Sequence, residues 1–176
     1  MSLVSTVVYA NPNTPCWASA SSGGGGTQFL SATYPQGSNG GTAPSTSFNQ
    51  RELNTFSPAL SGSNSTTIAG MSVSSNVITL PAGTFRVSGS AGAALDNGQS
   101  RFFDVTNSNV ALLGTVAGAD QRTSYSTFVG FVSPTASTQY QVETAGASLT
   151  GGDADYGQAL GAGTECFLTL EITSLT

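Results

Sequence analysis

An all-β fold is predicted for this chain by three observations. The segment Ile78-Thr79-Leu80-Pro81-Ala82-Gly83-Thr84-Phe85-Arg86-Val87 holds a short strand, a corner and a second strand in consecutive residues. Pro81 cannot donate to a ladder and Gly83 tolerates backbone angles closed to other residues, so the first strand must stop there. From about residue 47 onward strand signals recur roughly every 10 to 15 residues, with Gly, Asn, Asp and Pro between them. No window repeats apolar residues three and four apart over two turns, the spacing that a helix needs.

Taken in order, residues 1–46 read as an extended Gly/Pro-rich N-terminal arm. A β-prone opening, Leu3 to Tyr9, gives way to Asn11-Pro12-Asn13-Thr14-Pro15 and then to Gly23-Gly24-Gly25-Gly26. Glycine runs lose the most backbone entropy on ordering, so the arm is expected to be held by docking, on its own domain or on adjacent subunits. Residues 47–176 read as the folded domain, with strands near 48–54, 66–73, 76–80, 84–92, 100–106, 110–116, 123–133, 138–144 and 164–174. In the fourth of these, Phe85 and Val87 face one way while Thr84, Arg86 and Ser88 face the other. Tyr140 and Val142 alternate with Gln139, Gln141 and Glu143. In the last strand Cys166, Leu168, Leu170 and Ile172 alternate with Phe167, Thr169, Glu171 and Thr173. Eight or more strands with long Gly-rich crossings predict an antiparallel jelly-roll sandwich of two sheets. An immunoglobulin-like sandwich ranks second because the Cys-Trp-Cys spacing is missing.

The charge inventory excludes several function classes. Among the 176 residues there are nine acids, no histidine and four cations, all arginines (Arg51, Arg86, Arg101, Arg122), for a net charge of −5. Nucleic-acid binding needs a cationic surface and an anionic membrane would repel this chain, so neither is expected as a partner. No apolar run approaches the roughly 20 residues that span a bilayer. Met1-Ser2-Leu3-Val4-Ser5 lacks a basic leader, so export through a standard signal is not expected. With 7% charged residues, solubility must come from hydroxyls and amides, and such a surface suits packing against copies of itself. Cys16 lies in a Pro-flanked loop and Cys166 in a strand expected to be buried. They do not form an obvious disulfide framework, and Cys166 is expected as a small core hydrophobe.

The missing histidine removes Ser-His-Asp and Cys-His catalysis, and the missing lysine removes a phosphate-binding loop at Gly23–Gly26. Asp96, Asp104, Asp120, Glu143, Glu165 and Glu171 stand beside turns or on outward strand positions and read as solvated surface, so no catalytic residue is assigned. Gly151-Gly152-Asp153-Ala154-Asp155 offers two carboxylates one residue apart. These are weak candidates for calcium, because such a site wants about six or seven oxygens and the loop supplies two side chains. No other cofactor is expected. Asn64-Ser65-Thr66 reads as a polar turn. Arg51 and Arg101 are expected to meet carboxylates such as Glu52 or Asp104. Among the aromatics Phe128 and Phe131 point to opposite faces, and Phe167 points away from the aliphatic row. Phe167 with Phe128 or Phe131 is expected to line a contact with another copy, against the alternative that the arm covers them.

Arg51-Glu52-Leu53-Asn54-Thr55, then Ser75 to Val87, then Gln99-Ser100-Arg101-Phe102-Phe103-Asp104-Val105-Thr106, Gly114-Thr115, the Phe128 to Val132 strand and Leu170-Glu171-Ile172-Thr173-Ser174-Leu175 fall in a fixed order. Over about residues 48 to 176 they resemble the small jelly-roll domains of the complement globular-head and tumour necrosis factor-like kind found in bacteriophages and large DNA viruses. The chain departs from that pattern at Ala91-Gly92-Ala93-Ala94-Leu95-Asp96, which lacks the usual aromatic and histidine, so no shared ligand site is carried over. The resemblance implies a non-enzymatic virion structural protein. It would be a capsid vertex, penton or decoration subunit assembled in the host cytoplasm, working as a homo-oligomer of three or five copies beside other capsid proteins. The alternative is the receptor- or glycan-binding head of a tail fibre or spike, acting through loops 92–99, 116–122 and 145–162.

Overall fold

The computed structural model describes residues 26–43, 45–57, 68–94, 98–117, 123–146 and 156–175. Among these residues there is no helix. The strands are β1 (Thr27–Tyr34), β2 (Asn49–Gln50), β3 (Thr55–Ser57), β4 (Ser72–Ser74), β5 (Val77–Leu80), β6 (Phe85–Ala94), β7 (Gly98–Asp104), β8 (Asn109–Ala117), β9 (Thr123–Val132), β10 (Thr138–Ala145) and β11 (Glu165–Ser174). One sheet runs β3-β1-β11-β6-β9. The other runs β4-β5-β10-β7-β8, with β2 also on β10.

Every pairing is antiparallel, and the long strands pair in a nested order: β7 with β8, β6 with β9, β5 with β10 and β1 with β11. A single long hairpin has that order, and rolling it up places successive pairs in alternate sheets. The fold is a jelly-roll sandwich. Between the sheets Leu30, Ile78, Leu80, Phe85, Val87, Phe102, Val142, Leu168, Leu170 and Ile172 are fully buried, and the rings of Phe102 and Tyr140 stack at 4.8 Å. The two-residue turn between β4 and β5 has Ser75 and Asn76 at φ 49° and 65°, the geometry that matches the twist of a tight hairpin. The expected corner follows: β5 ends at Leu80, Gly83 takes φ 153° and its N–H donates to Pro134 O at 3.0 Å.

Residues 27–34, assigned to the arm on sequence, form β1, an inner strand of the five-stranded sheet between β3 and β11. The sandwich therefore begins well before residue 47. Leu30 and Ala32 are buried in the core, but only two aliphatic positions alternate there among Thr, Gln and Ser, too few to stand out from a glycine-rich context. Leu3–Tyr9, Asn64-Ser65-Thr66 and most of the glycine run lie outside the described residues.

The last strand keeps its expected parity but not its expected ends. Leu168, Leu170 and Ile172 face the core, while Cys166 is half-buried and disulfide-bonded rather than a core thiol. The chain's one other cysteine is Cys16, outside the described residues. The physical reason lies in β1, whose register shifts between Ala32 and Thr33. Cys166, opposite Thr33, stands past the last core layer. Phe167 does point away from the aliphatic row, yet only 2% of it is exposed. Tyr34 packs on its ring at 5.8 Å, and Gly40 and Gly157 lie so close that a Cβ on either would reach that ring. The two covering loops are joined by Gly40 N–H donating to Gly157 O at 2.8 Å and Tyr156 N–H donating to Gly41 O at 3.2 Å.

Arg51 is the other departure. It does not pair with Glu52, whose carboxylate instead accepts from the Tyr34 hydroxyl at 2.9 Å. Its guanidinium is 1% exposed and donates to Gly92 O at 2.7 Å, Thr144 Oγ1 at 3.4 Å, Phe167 O at 3.4 Å and Tyr156 O at 3.5 Å. It also sits 4.0 Å over the Tyr156 ring. Burial pulls its pKa down to about 10. Arg101 likewise bypasses Asp104 for Glu143, directly opposite on β10, at 2.5 Å, and is flanked by the rings of Phe48 and Phe103.

Replacing Arg51 by Met removes the donors but leaves the buried carbonyls. Since each unsatisfied buried group costs about 1–3 kcal/mol, we expect Arg51→Met to lower stability by about 3–5 kcal/mol in denaturant titrations. Alkaline titration tests the tyrosines. Burial raises Tyr34 to about 12 and raises Tyr125 and Tyr140 as well. A raised phenol contributes stability that is complete below its ordinary value near 10 and is lost as pH climbs through the folded value. Arg51 opposes this, because its folded pKa is lowered. The Tyr34 and Arg51 shifts are similar in size and opposite in effect over the same range, so the check is spectroscopic: ultraviolet titration should show the three phenolates forming late, above the ordinary value near 10.

Candidate functional site

The surface that stands out lies where the two sheets meet along one flank. Strand β8 is the edge of the six-stranded sheet and β9 the edge of the five-stranded sheet. An edge strand leaves a row of backbone groups without a ladder partner. Here side-chain hydroxyls supply part of it. Ser126 Oγ accepts from Ser100 N–H at 2.8 Å and donates to Thr115 O at 2.5 Å. Thr127 N–H donates to Thr115 Oγ1 at 3.1 Å, and Ser100 Oγ lies 2.8 Å from Ser126 Oγ. Gly114 fits between them, since a Cβ there would stand 2.7 Å from both serine oxygens. This is a local use for the hydroxyl-rich composition: short polar side chains stitch one sheet to the other.

Stitching the inner side leaves the outer side apolar. Val129 and Phe131 of β9 are each 65% exposed, and Leu113 of β8 is 59% exposed. Val110, Val116 and Tyr125 are also exposed large apolar side chains on the same two strands. From there the face continues over the five-stranded sheet in register. Phe131 is followed by Arg86, Thr173 and Thr27; Val129 is followed by Ser88, Glu171 and Phe29. A shallow depression of about 700 Å³ lies on it, with Leu113, Val129, Phe29 and Glu171 among its walls. The charges on this face compensate each other, with Arg86 Nη1 3.1 Å from Glu171 Oε1.

No family model matches the chain, and no curated protein matches it. The surface must therefore be read from its own chemistry. Among the described residues it gathers no convergent acids and no nucleophile with a base. Over the described residues it is a shallow, apolar face, uncharged in sum, formed by two long edge strands without a lysine or proline to protect them.

The three aromatics expected at a subunit contact are separated by the fold. Phe131 is on the exposed flank. Phe128 is 4% exposed and lies inside the sandwich, stacked with Phe102 at 6.2 Å. Phe167 is covered by the chain's own loops. Only Phe131 is offered to another molecule. The parity argument placed Phe128 and Phe131 on opposite faces correctly but could not say which face was inside. Leu113, Val110 and Val129, which complete the face, escaped the sequence reading. Their strands alternate, but the dry and wet faces of an edge strand look alike when both carry aliphatic residues. Asp153 and Asp155, the weak calcium candidates, lie outside the described residues. Among the described residues no group of three or more His, Cys, Asp or Glu gathers as a metal site.

The stitching makes a prediction of its own. Ser126→Ala removes the acceptor for Ser100 N–H and the donor to Thr115 O, and should cost about 1–3 kcal/mol. Ser126→Thr, which keeps the hydroxyl, should recover part of that loss in thermal melts.

Proposed function

We propose that this chain is a non-enzymatic virion structural protein, a jelly-roll subunit of the capsid at a vertex or as a decoration, that works by self-assembly about a symmetry axis. The observation that carries the reading is the apolar flank of β8 and β9. Exposed, contiguous apolar surface on unprotected edge strands is a hazard for a solitary domain and an asset for a subunit. A second copy is the occupant that fits best. The face is neutral in sum, so two copies do not repel there, and its mix of aliphatic residues, aromatics and short hydroxyls matches itself. The low charge of the whole chain points the same way. The virion assignment draws on the resemblance of residues 48 to 176 to phage and viral jelly-roll heads.

In this reading assembly takes place in the host cytoplasm with thiols reduced. The disulfide at Cys166 belongs to an oxidising milieu and closes after the particle leaves the cell. Three or five copies around an axis both suit a jelly roll whose flank meets a neighbour.

The test is the mass of the purified chain in solution by light scattering. We expect a discrete oligomer of three or five copies. Val129→Ser together with Phe131→Ser should shift it to monomer at equal concentration with the melting temperature of each isolated subunit unchanged, because both side chains already face water. Loss of two interface anchors is typically worth about 2–4 kcal/mol, enough to weaken association at least tenfold. A wild-type chain that stays monomeric at its highest soluble concentration would refute the proposal.

A further inference from the structure

A second feature sits at one end of the sandwich, where the turn between β7 and β8 approaches the connection between β9 and β10. Between them opens a groove of about 400 Å³. Its floor is Asp104 and Tyr140, partners in the β7–β10 register. Its walls carry Asn107, Asn109 and Thr135, all exposed, and the exposed ring of Phe131 stands at its rim.

The groove is held in shape by its own hydrogen bonds. Val105 N–H donates to Gln139 O at 2.8 Å, and Gln139 N–H donates to Thr106 Oγ1 at 2.8 Å, which locks the turn to the connection. Asn107 N–H donates to Asp104 Oδ1 at 2.9 Å and Asn107 Nδ2 donates to Asp104 Oδ2 at 2.8 Å. That fixes the carboxylate and leaves each oxygen further acceptor capacity, since an ionised carboxylate offers about four lone-pair sites. The Tyr140 ring is fixed in turn by its stack on Phe102. A recognition site gains affinity when its polar groups are placed before the ligand arrives.

The chemistry of the walls selects a ligand class. Among the described residues no cation lines the groove, and the chain contains neither lysine nor histidine. A phosphate, sulfate or carboxylate would therefore meet Asp104 with nothing to balance it. A flat apolar ligand would cover the acceptor sites that Asn107 leaves open on Asp104, and the Asn109 amide, without answering them, at the cost of desolvation. A neutral molecule with several hydroxyls suits every group: its O–H groups donate to Asp104, asparagine amides both donate to and accept from neighbouring hydroxyls, and a C–H face can lie on the Phe131 ring. The volume is at the small end of ordinary ligand pockets, the size for one or two sugar rings. We propose that this groove binds a neutral saccharide.

This goes beyond the self-assembly reading and does not need it, because one chain supplies every wall. It also places recognition at the opposite end from loops 92–99, 116–122 and 145–162, where the sequence pattern looked for it.

The experiment titrates the full-length chain with glucose, galactose, mannose, N-acetylglucosamine and their common disaccharides, and in parallel with sialic acid and glucose 6-sulfate, by calorimetry or by chemical-shift perturbation. At least one neutral sugar should saturate. The Asn109→Ala, Thr135→Ala double variant should weaken it about tenfold or more, the worth of one or two hydrogen bonds, with the melting temperature and solution mass unchanged. Both side chains are exposed, and although Asn109 opens β8 neither is one of the apolar residues of the assembly flank, so the variant keeps its fold and its contact face. Three results would overturn the proposal: no neutral sugar saturates, an anionic sugar binds more tightly than any neutral one, or the double variant binds as wild type does. A chain that is monomeric by mass yet binds a neutral sugar would sink the self-assembly reading and leave this one standing.

Discussion

A single buried cation ties the two sheets of this fold to each other, and to the loop at Tyr156, at one end of the sandwich. Arg51 lies just after the two-residue strand β2, and its guanidinium reaches β6 at Gly92, β10 at Thr144, β11 at Phe167 and the loop at Tyr156. Those strands belong to different sheets, so the one side chain bridges both layers of the sandwich at the end opposite the saccharide groove. A carboxylate would answer the charge more strongly, but it could answer at one point only. Backbone carbonyls are distributed, and the planar fork of five N–H groups can serve several at once, which lysine could not do. The cost is desolvation, visible in the lowered pKa. The return is that the loop carrying Tyr156 and Gly157 is held down on Phe167, which closes that end of the core.

The same economy of charge runs through the rest of the molecule. Among the described residues the arginines are each committed inside the chain: Arg51 to carbonyls, Arg86 to Glu171 and Arg101 to Glu143. Beside Glu52 and the Arg86–Glu171 pair, what remains for the described surface is hydroxyls, amides and a few large apolar side chains. Hydroxyls can do what charges cannot, because they donate and accept at once without a desolvation penalty on the scale of an ion. Ser100 of β7, Thr115 of β8 and Ser126 and Thr127 of β9 use that property to join the two sheets. The apolar flank is a consequence of this construction as much as a feature beside it. With the polar groups of the two edge strands turned inward to each other, their outward positions are free to be Val, Leu and Phe.

Much of this was legible from the residues. The Pro81-Ala82-Gly83 corner, the alternation in β6, β10 and β11 and the regular spacing of turn residues correctly give two antiparallel sheets, because a period of two with punctuation is a direct readout of a half-buried strand. The part that was not legible is pairing. Nothing local in Arg101 says that Glu143, rather than Asp104, will stand opposite it; that follows from β7 lying beside β10, a neighbour distant in sequence. Arg51 misled for a related reason. A lone arginine beside a glutamate reads as a surface pair unless one knows that four other segments converge on it. Phe167 shows the limit of parity: alternation tells which way a side chain points, but whether that side is covered depends on loops whose sequence, rich in Gly and Asn, carries no pattern. The groove at Asp104 was missed because its groups come from two turns that are unremarkable when read singly.

The two candidate surfaces are not independent in space. Phe131 belongs to the apolar flank and also stands at the rim of the groove, and Val110 is shared in the same way. A second copy packed against β8 and β9 would reach the groove through these shared residues, while Asp104 and Tyr140 lie on β7 and β10. A ligand there would sit at the margin of the subunit contact, touching a side chain whose other face is buried between copies. Assembly would then fix the ring of Phe131, which in the lone chain is mostly in water and has rotamer freedom to lose. An ordered ring is a better platform for a sugar than a mobile one, because the entropy of placing it has already been spent on assembly. The coupling is reciprocal by thermodynamic necessity, so a sugar bound at that margin would in turn favour the assembled form. That link, through one exposed phenylalanine, joins the two surfaces by physics and not only by proximity.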